Sequence, residues 1–447
     1  MHNKQNSERP PMMGGAHLDF SEYKDTENLD LIRDRQRHLG NGILFYHDPL
    51  HVIRGEGVWL FDETGRAYLD CYNNVPSVGH CNPRVVKAMA DQAAKLNTHS
   101  RYLHRSAIEY AKQLSSTLPG MLDICMFVCT GTEANELAMR IARTVSGNRG
   151  AIVMESSYHG NSTLIGEMST FDSRPQTRPP HVIAVEPPNV YRGPFRQGQE
   201  DLGQKYADLV DDAIAELEIR GEKTAAFMCD AIFDSQGGLE APLDYFQLVY
   251  EKVRAAGGLC IADEVQAGLG RTGKMWGFEQ YDVVPDIVTM GKPMGNGYPL
   301  AAVVTTPEIA ERFVASTVYF NTFGGTAVSA EIGKAVLDII EQDHLVENAW
   351  IVGQYLRQGL EELAKRHPII GNVRGKGLYQ AIELVLDQAT LEPAIAAARQ
   401  LPDAMKDDGV LIGLTGRFGN VMKIRPPMVF SRENADQLLA ALDQNLP

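Results

Sequence analysis

Lys292 stands in Asp286-Ile287-Val288-Thr289-Met290-Gly291-Lys292-Pro293-Met294-Gly295, just past an apolar run and inside a turn rich in glycine and proline. A lysine held there, partly desolvated and near other positive charge, has a lowered pKa and attacks carbonyls as the neutral amine. Most lysines are solvated surface charges, yet few of those follow a buried strand so closely. Asp263 closes an earlier apolar run, Leu259-Cys260-Ile261-Ala262-Asp263, and precedes Glu264-Val265-Gln266. In open α/β sheets, ligands sit beyond the carboxyl ends of the strands, where this carboxylate points. A carboxylate in that place keeps a pyridine nitrogen protonated, so that the ring can accept electrons. A turn-forming aspartate is the plainer alternative. The third feature is Thr130-Gly131-Thr132-Glu133-Ala134-Asn135, which joins the run ICMFVC to a helix. Its glycine permits close backbone approach, and first-turn amides lack intrahelical acceptors, so such a helix start binds phosphate. Simple capping by Thr130 or Thr132 is the alternative there.

These residues need a sheet to hold them. From about residue 83, helix-period segments (83–96, 105–117, 132–146, 202–219, 243–256) alternate with short apolar runs: ICMFVC, GAIVME, HVIAVE, TAAFMCDAI, GLCIAD and DIVTMG. That alternation predicts βαβ units and a mostly parallel sheet covered on both faces. Residues 52–72 alternate apolar and polar around Asp62-Glu63-Thr64-Gly65 and predict a hairpin. Beyond residue 325, helices are expected over 326–343, 346–366, 388–407 and 431–445. Strands are expected in NVRGKGLYQAIELV, GVLIGL and NVMKIRPPMVF. The class is therefore α/β, with a large domain over residues 76–325. A smaller α+β domain draws on both ends, from residues 1–75, which begin as a polar arm with one short helix, and residues 326–447.

Gly268, Gly270 and Gly273 spell G-x-G-x-x-G, the dinucleotide fingerprint, but they lead into RTGKMWGFEQYD, which has no helical apolar stripe. The fingerprint requires a strand, then the glycines, then a helix, so a glycine-rich loop is expected instead. The chain has 447 residues, a net charge of −15 and ordinary globular composition. Such acidity argues against nucleic acid or an anionic membrane as the main partner. The six cysteines form no C-x-x-C pair, which suggests reduced thiols and no metal framework. The N-terminal MHNKQNSERPPMMGG lacks a signal-peptide core, and no apolar run reaches the ~18 residues of a membrane span. A cytoplasmic location is the expectation.

A phosphate cradle, a pyridinium partner and a carbonyl-attacking lysine on one sheet edge are what pyridoxal 5'-phosphate requires. The sequence resembles the class III aminotransferases, pyridoxal-phosphate enzymes of fold type I, from about residue 40 to the end. The resemblance is carried by Gly131-Thr132-Glu133-Ala134-Asn135, Tyr158-His159-Gly160, Asp263-Glu264-Val265-Gln266, Gly291-Lys292 and Thr322-Phe323-Gly324-Gly325. It implies that Lys292 forms a Schiff base with the cofactor and shuttles protons. By the same resemblance Asp263 pairs with the pyridine nitrogen, Gln266 lies by the phenolic oxygen and Tyr158 stacks on the ring. Gly131 and Thr132 bind the phosphate, together with Thr322 from a neighbouring subunit, which implies a homodimer with shared sites. Where the family usually has a glutamate before the aspartate strand, this chain has Asp230, to which no role is assigned.

Within the family, the chain is most similar to the ethanolamine-phosphate phospho-lyases. The shared text includes Cys71-Tyr72-Asn73-Asn74-Val75, Asn97-Thr98-His99-Ser100-Arg101-Tyr102-Leu103-His104 and Tyr319-Phe320-Asn321-Thr322. The resemblance implies elimination of phosphate from O-phosphoethanolamine to give acetaldehyde and ammonia. A phosphomonoester needs cationic partners; Arg101 and Arg425 are the candidates, and Arg192 is more readily a structural ion pair. The alternative is an ω-aminotransferase acting on a terminal amine.

Overall fold

The computed structural model describes residues 28–40, 44–171 and 177–447. The arm expected before residue 28 lies outside the described residues, and its short helix spans Leu29–Leu39.

Seven strands make the central sheet: β4 (Ile124–Val128), β5 (Gly150–Met154), β6 (Val182–Val185), β7 (Thr224–Cys229), β8 (Leu259–Asp263), β9 (Ile287–Met290) and β10 (Ala301–Thr305). They follow β1 (Val52–Glu56), β2 (Trp59–Asp62) and β3 (Ala67–Asp70) in the chain. The central order is β4-β10-β9-β8-β7-β5-β6. All its pairings are parallel except those of β10, which runs antiparallel to both β4 and β9. The sheet is mostly parallel, as its alternating runs and helices predict; β10, in the run Ala301-Ala302-Val303-Val304-Thr305, is an additional strand.

Period-two alternation builds two cores from these strands. Ile152, Met154, Phe227 and Cys229 point to one face. Helices Leu202–Ile219 and Tyr245–Ala255 cover that side with residues such as Val210, Leu217 and Val249. Ala151, Val153, Ala226 and Met228 point to the other, against Leu137, Ile141 and Ala142 of helix Gly131–Ser146. A sheet buried on both faces explains why these strands are almost uninterrupted apolar text.

Two smaller sheets come from the chain ends. The expected hairpin is present between β2 and β3, and β1 extends it to a meander. That meander is completed by β13 (Val410–Leu411), which pairs in parallel with β3. A second sheet joins β11 (Ile370–Lys376), β12 (Tyr379–Leu384), β14 (Gly413–Thr415) and β15 (Val421–Ile424) in the order β11-β12-β15-β14. The single strand expected in GVLIGL is thus divided at Ile412, serving one sheet before the break and another after it. The helix expected over 388–407 begins at Ile395. Asp387 captures the amides of Ala389 and Thr390 and turns the chain there instead.

Candidate active site

Beyond the carboxyl ends of β4, β7, β8 and β9 lies a cavity of about 380 Å³. Gly131, Thr132, Tyr158, Asp263, Gln266, Lys292 and Arg425 all line it. Seven of the nine residues singled out in the sequence therefore meet in one place. Thr322 and Arg101 do not. Thr322 is exposed on the loop before helix Ala327–Gln342, and Arg101 is exposed with its guanidinium 3.9 Å from the Phe320 ring centre. Arg101 is therefore no wall of this subunit's cavity.

The phosphate end is the start of helix Gly131–Ser146. Thr130 does cap it, accepting from the Glu133 amide at 3.1 Å, while the Glu133 carboxylate accepts from the amides of Cys129 and Thr130. This capping box occupies the donors on one side. The amides of Gly131 and Thr132 keep their first-turn character and line the cavity. Capping and anion binding are compatible, being done by different atoms. The cradle is tight: a Cβ on Gly131 would lie 3.0 Å from Val265, and one on Gly160 would lie 2.6 Å from Thr132 Oγ1.

On the same cavity, Asp263 is buried at the tip of β8. Its Oδ2 lies 2.7 Å from His159 Nδ1 and accepts from Asn135 Nδ2 at 2.9 Å; its Oδ1 accepts from the Val265 amide. Burial pushes this carboxyl upward, but the His159 contact and the Asn135 and Val265 donors outweigh it and hold Asp263 below the usual carboxylate range. The aspartate is thus a buried anion fixed by polar neighbours. Asn135 is itself fixed by Thr289, which donates to its Oδ1 at 2.6 Å. Tyr158 meets Phe171 edge to face at 5.3 Å on the cavity wall.

Lys292 follows β9 through Gly291, whose α-carbon packs so closely on the helix start that a Cβ would lie 3.3 Å from Gly131. Burial, then the nearby Arg425 charge, push the Lys292 ammonium down to about 8, against the pull of Asp234 and Asp263. A substantial fraction of neutral amine at physiological pH follows, as carbonyl attack requires.

Several residues with no assigned role in the sequence prove central. Asp234, in the turn after β7, accepts from Lys423 at 3.2 Å, Gln266 at 3.2 Å and Tyr379 at 2.9 Å, and lies 3.9 Å from Arg425. Burial raises its pKa, but Lys423 and Arg425 prevail and hold it at about 2. Lys423 and Arg425 share one face of β15 and its extension, while Met422 and Ile424 enter the apolar core. Gln266 accepts from Arg425 at 2.5 Å, so the cluster is one network. Asp230 also lines the cavity, accepting from the amides of Ile232 and Asp234. Burial first, then the Asp234 and Asp263 charges, push it up to about 7. Arg192 is an ion pair with Glu383, as the plainer alternative had it. The glycine fingerprint opens no dinucleotide helix; Gly270 and Gly273 take positive φ in a loop, and Gly277 and Phe278 donate to the buried Glu264 carboxylate.

A helix-start anion cradle, a buried carboxylate and a low-pKa amine around one cavity fit pyridoxal phosphate. The His159 Nε2 atom, buried with no partner among the described residues, marks the same wall as built for a further polar neighbour.

The class III aminotransferase model matches residues 46–446. A Drosophila melanogaster protein named alanine–glyoxylate aminotransferase 2-like is 43% identical over 421 residues, 92% of this chain and 85% of that relative. A Caenorhabditis elegans ethanolamine-phosphate phospho-lyase homolog 1 is 38% identical, with 93% of each chain covered. Among solved structures, a phospholyase from Arthrobacter in complex with phosphoethanolamine superimposes with a TM-score of 0.89 at 43% identity, covering 93% of this chain and 99% of that one. The chain belongs to the class III aminotransferase family, and with it to the pyridoxal-phosphate enzymes of fold type I.

Proposed function

We propose that this enzyme eliminates phosphate from O-phosphoethanolamine and that water hydrolyses the resulting enamine, giving acetaldehyde, ammonia and inorganic phosphate. The carrying observation is that the cavity has two separate anion-holding ends. Gly131 and Thr132 suit the cofactor phosphate, whereas Lys423 and Arg425 face the same space with one carboxylate, Asp234, between them. Two buried cations against one acid leave positive charge for a second phosphate, which a simple amine does not carry. The likeness to a phospholyase crystallised with phosphoethanolamine supports the same reading.

When bound, the cofactor's pyridinium ring accepts the electron pair left as the carbon beside the amine loses its proton. Asp263, held anionic by His159 and Asn135, keeps the ring nitrogen protonated. Lys292 Nζ takes the proton from that carbon, its lowered pKa suiting it to general-base work near neutrality. The bond from the neighbouring carbon to the phosphate oxygen then breaks, and its electron pair leaves on phosphate. Lys423 and Arg425 stabilise the departing charge. Asp230, whose pKa is close to neutrality, holds a proton within the same cavity.

The enzyme works as a homodimer in the cytoplasm, with Thr322 of one subunit completing the phosphate cradle of the other. The exposed loop carrying Thr322, beside exposed Val318 and Phe323, supports that arrangement. The likeness to an alanine–glyoxylate aminotransferase 2-like protein favours a second reading, transfer of an amino group from a terminal amine to a keto acid. Incubation with O-phosphoethanolamine and no keto acid separates the two. Stoichiometric phosphate and acetaldehyde support the lyase; their absence, with pyruvate-dependent loss of a terminal amine, supports the aminotransferase.

A further inference from the structure

Three acids line the Lys292 cavity: Asp230, Asp234 and Asp263. Two of them have a side-chain partner that fixes their charge. Asp263 lies 2.7 Å from His159 Nδ1, and Asp234 lies 3.2 Å from Lys423 and 3.9 Å from Arg425. Asp230 differs. Among the described residues it accepts only from the backbone amides of Ile232 and Asp234, and no cation pairs with it. It is nonetheless buried. The ionisable groups around it are Asp234 in its own turn, Asp263 and Glu264 at the end of β8, His159 beyond β5, Cys229, Tyr281 and Tyr379. Only His159 among these can carry positive charge. Burial and the acids beside it therefore keep the Asp230 carboxyl protonated up to near neutrality.

The proposed elimination needs a proton at its leaving group. A phosphate monoester loses its second proton at about pH 6, so its phosphate is mostly a dianion at neutrality. Breaking the carbon–oxygen bond in that form would expel the phosphate trianion, a strong base and a poor leaving group. One added proton turns the departing species into hydrogen phosphate. Arg425 stabilises negative charge but does not give up a proton. Lys423 is held by Asp234.

We infer that Asp230 is the general acid of the elimination, passing its carboxyl proton to the phosphate as the carbon–oxygen bond breaks. The turn after β7 carries both Asp230 and Asp234, the acid on which Lys423 and Arg425 converge, and the Asp234 amide donates to Asp230. Lys292 takes the proton from carbon, and the electron pair left behind ends as the new carbon–carbon double bond. The carbon–oxygen pair leaves on phosphate, where one oxygen bonds the Asp230 proton. Asp230 is left as a carboxylate. It regains a proton from solvent while Lys292 releases its own, so uptake balances release. The inference rests on the lyase reading above.

The test compares O-phosphoethanolamine with ethanolamine O-sulfate in single turnovers of the cofactor-loaded enzyme. The sulfate ester has a similar shape, but its leaving group departs as the weakly basic sulfate dianion and needs no proton. Asp230→Asn should slow phosphate release by about a hundredfold or more, the scale of general-acid catalysis, and sulfate release by less than about tenfold. Asp230→Glu, which keeps an acid, should recover part of the phosphate rate. Equal slowing with both esters, or no slowing with either, overturns the inference. Should Asp230→Asn fail to fold, the unaltered enzyme supplies the measurement. Its phosphate release should slow in deuterium oxide while its sulfate release does not, and equal isotope effects overturn the inference. An unaltered enzyme that releases no phosphate at all would instead overturn the lyase reading itself.

Discussion

His159 Nδ1 lies 2.7 Å from Asp263 Oδ2, with both side chains almost wholly buried. The contact makes Asp263 an anion at a depth where burial alone would neutralise it. His159→Asn keeps a donor and removes the imidazole. The folded Asp263 pKa is depressed, so its charge is present above that pKa and lost as pH falls through it. Without the imidazole the pKa rises, and the acidic limb of the rate profile should move to higher pH by roughly one unit or more. An unchanged acidic limb of kcat against pH would show that His159 does not set the charge of Asp263.

Lys292→Ala should lose turnover by several orders of magnitude, as loss of a covalent nucleophile does. It should still retain cofactor through Gly131 and Thr132, which the absorbance of dialysed protein reports. In the unaltered apoenzyme, the ammonium pKa of about 8 sets when cofactor can attach. Its rate of capture should rise as pH passes through about 8 and level off above it, as the neutral amine accumulates. Arg425→Met removes a neighbouring cation that helps lower this pKa, so the rise should move to higher pH.

The Asp234–Lys423 pair predicts a stability cycle. Asp234→Asn leaves Lys423 and Arg425 buried without their acid, and should cost about 3 kcal/mol or more. The double variant Asp234→Asn/Lys423→Met removes one orphaned cation and should recover part of that loss, read by denaturant unfolding. Because the folded Asp234 pKa is depressed to about 2, its contribution is full above the ordinary carboxylate pKa and lost as pH falls through about 2. The single variant should therefore differ from the unaltered enzyme most near neutrality and least in strong acid. Additive effects in the double variant would count against a coupled pair.

How far the sequence discloses this site depends on the distance over which each signal acts. Lys292 and Asp263 are legible because each ends a buried apolar run, and a strand end is a local property of the chain. The helix start at Gly131 is legible for the same reason. Asp234 meets Lys423 across 189 residues of chain, and Arg192 meets Glu383 across 191. No local pattern encodes those pairings; Asp234 reads as one more polar residue in a turn. His159 stands in a motif visible in the sequence, but a single histidine does not declare its partner. The strand β10 is short text between a glycine turn and a proline-led helix, and its antiparallel place is fixed by β4 and β9. The break at Ile412 has a tertiary cause too, since a Cβ at Gly413 would lie 2.1 Å from the Tyr72 ring.

That last contact gives a fourth prediction. Tyr72 lines the cavity, with its ring centre 4.6 Å from the Arg425 guanidinium. Gly413→Ala must displace the ring, at an overpacking cost of about 1–3 kcal/mol. The displaced ring disturbs Arg425, so the KM for O-phosphoethanolamine should rise severalfold while cofactor retention stays normal. Equal loss of both would indicate general unfolding instead.

Thr322 supplies the test of shared sites. It is exposed and does not line the Lys292 cavity of its own subunit, so in a monomer its substitution should not affect the cofactor. In the proposed homodimer, Thr322→Asp places a negative charge against the partner's cofactor phosphate and should abolish retention there. Lys292→Ala abolishes turnover in its own subunit. Coexpressing the two variants yields a random mixture in which half the dimers are hybrid. In each hybrid, the site with intact Lys292 receives Thr322 from the other chain and works, while the second site carries both defects. About one quarter of all sites should then be active, although each variant alone is inert. Isolating doubly tagged hybrids should raise this to about one half. A mixture as inactive as its components would mean that Thr322 acts within its own chain, and an active Thr322→Asp variant would mean that it does not act on the cofactor.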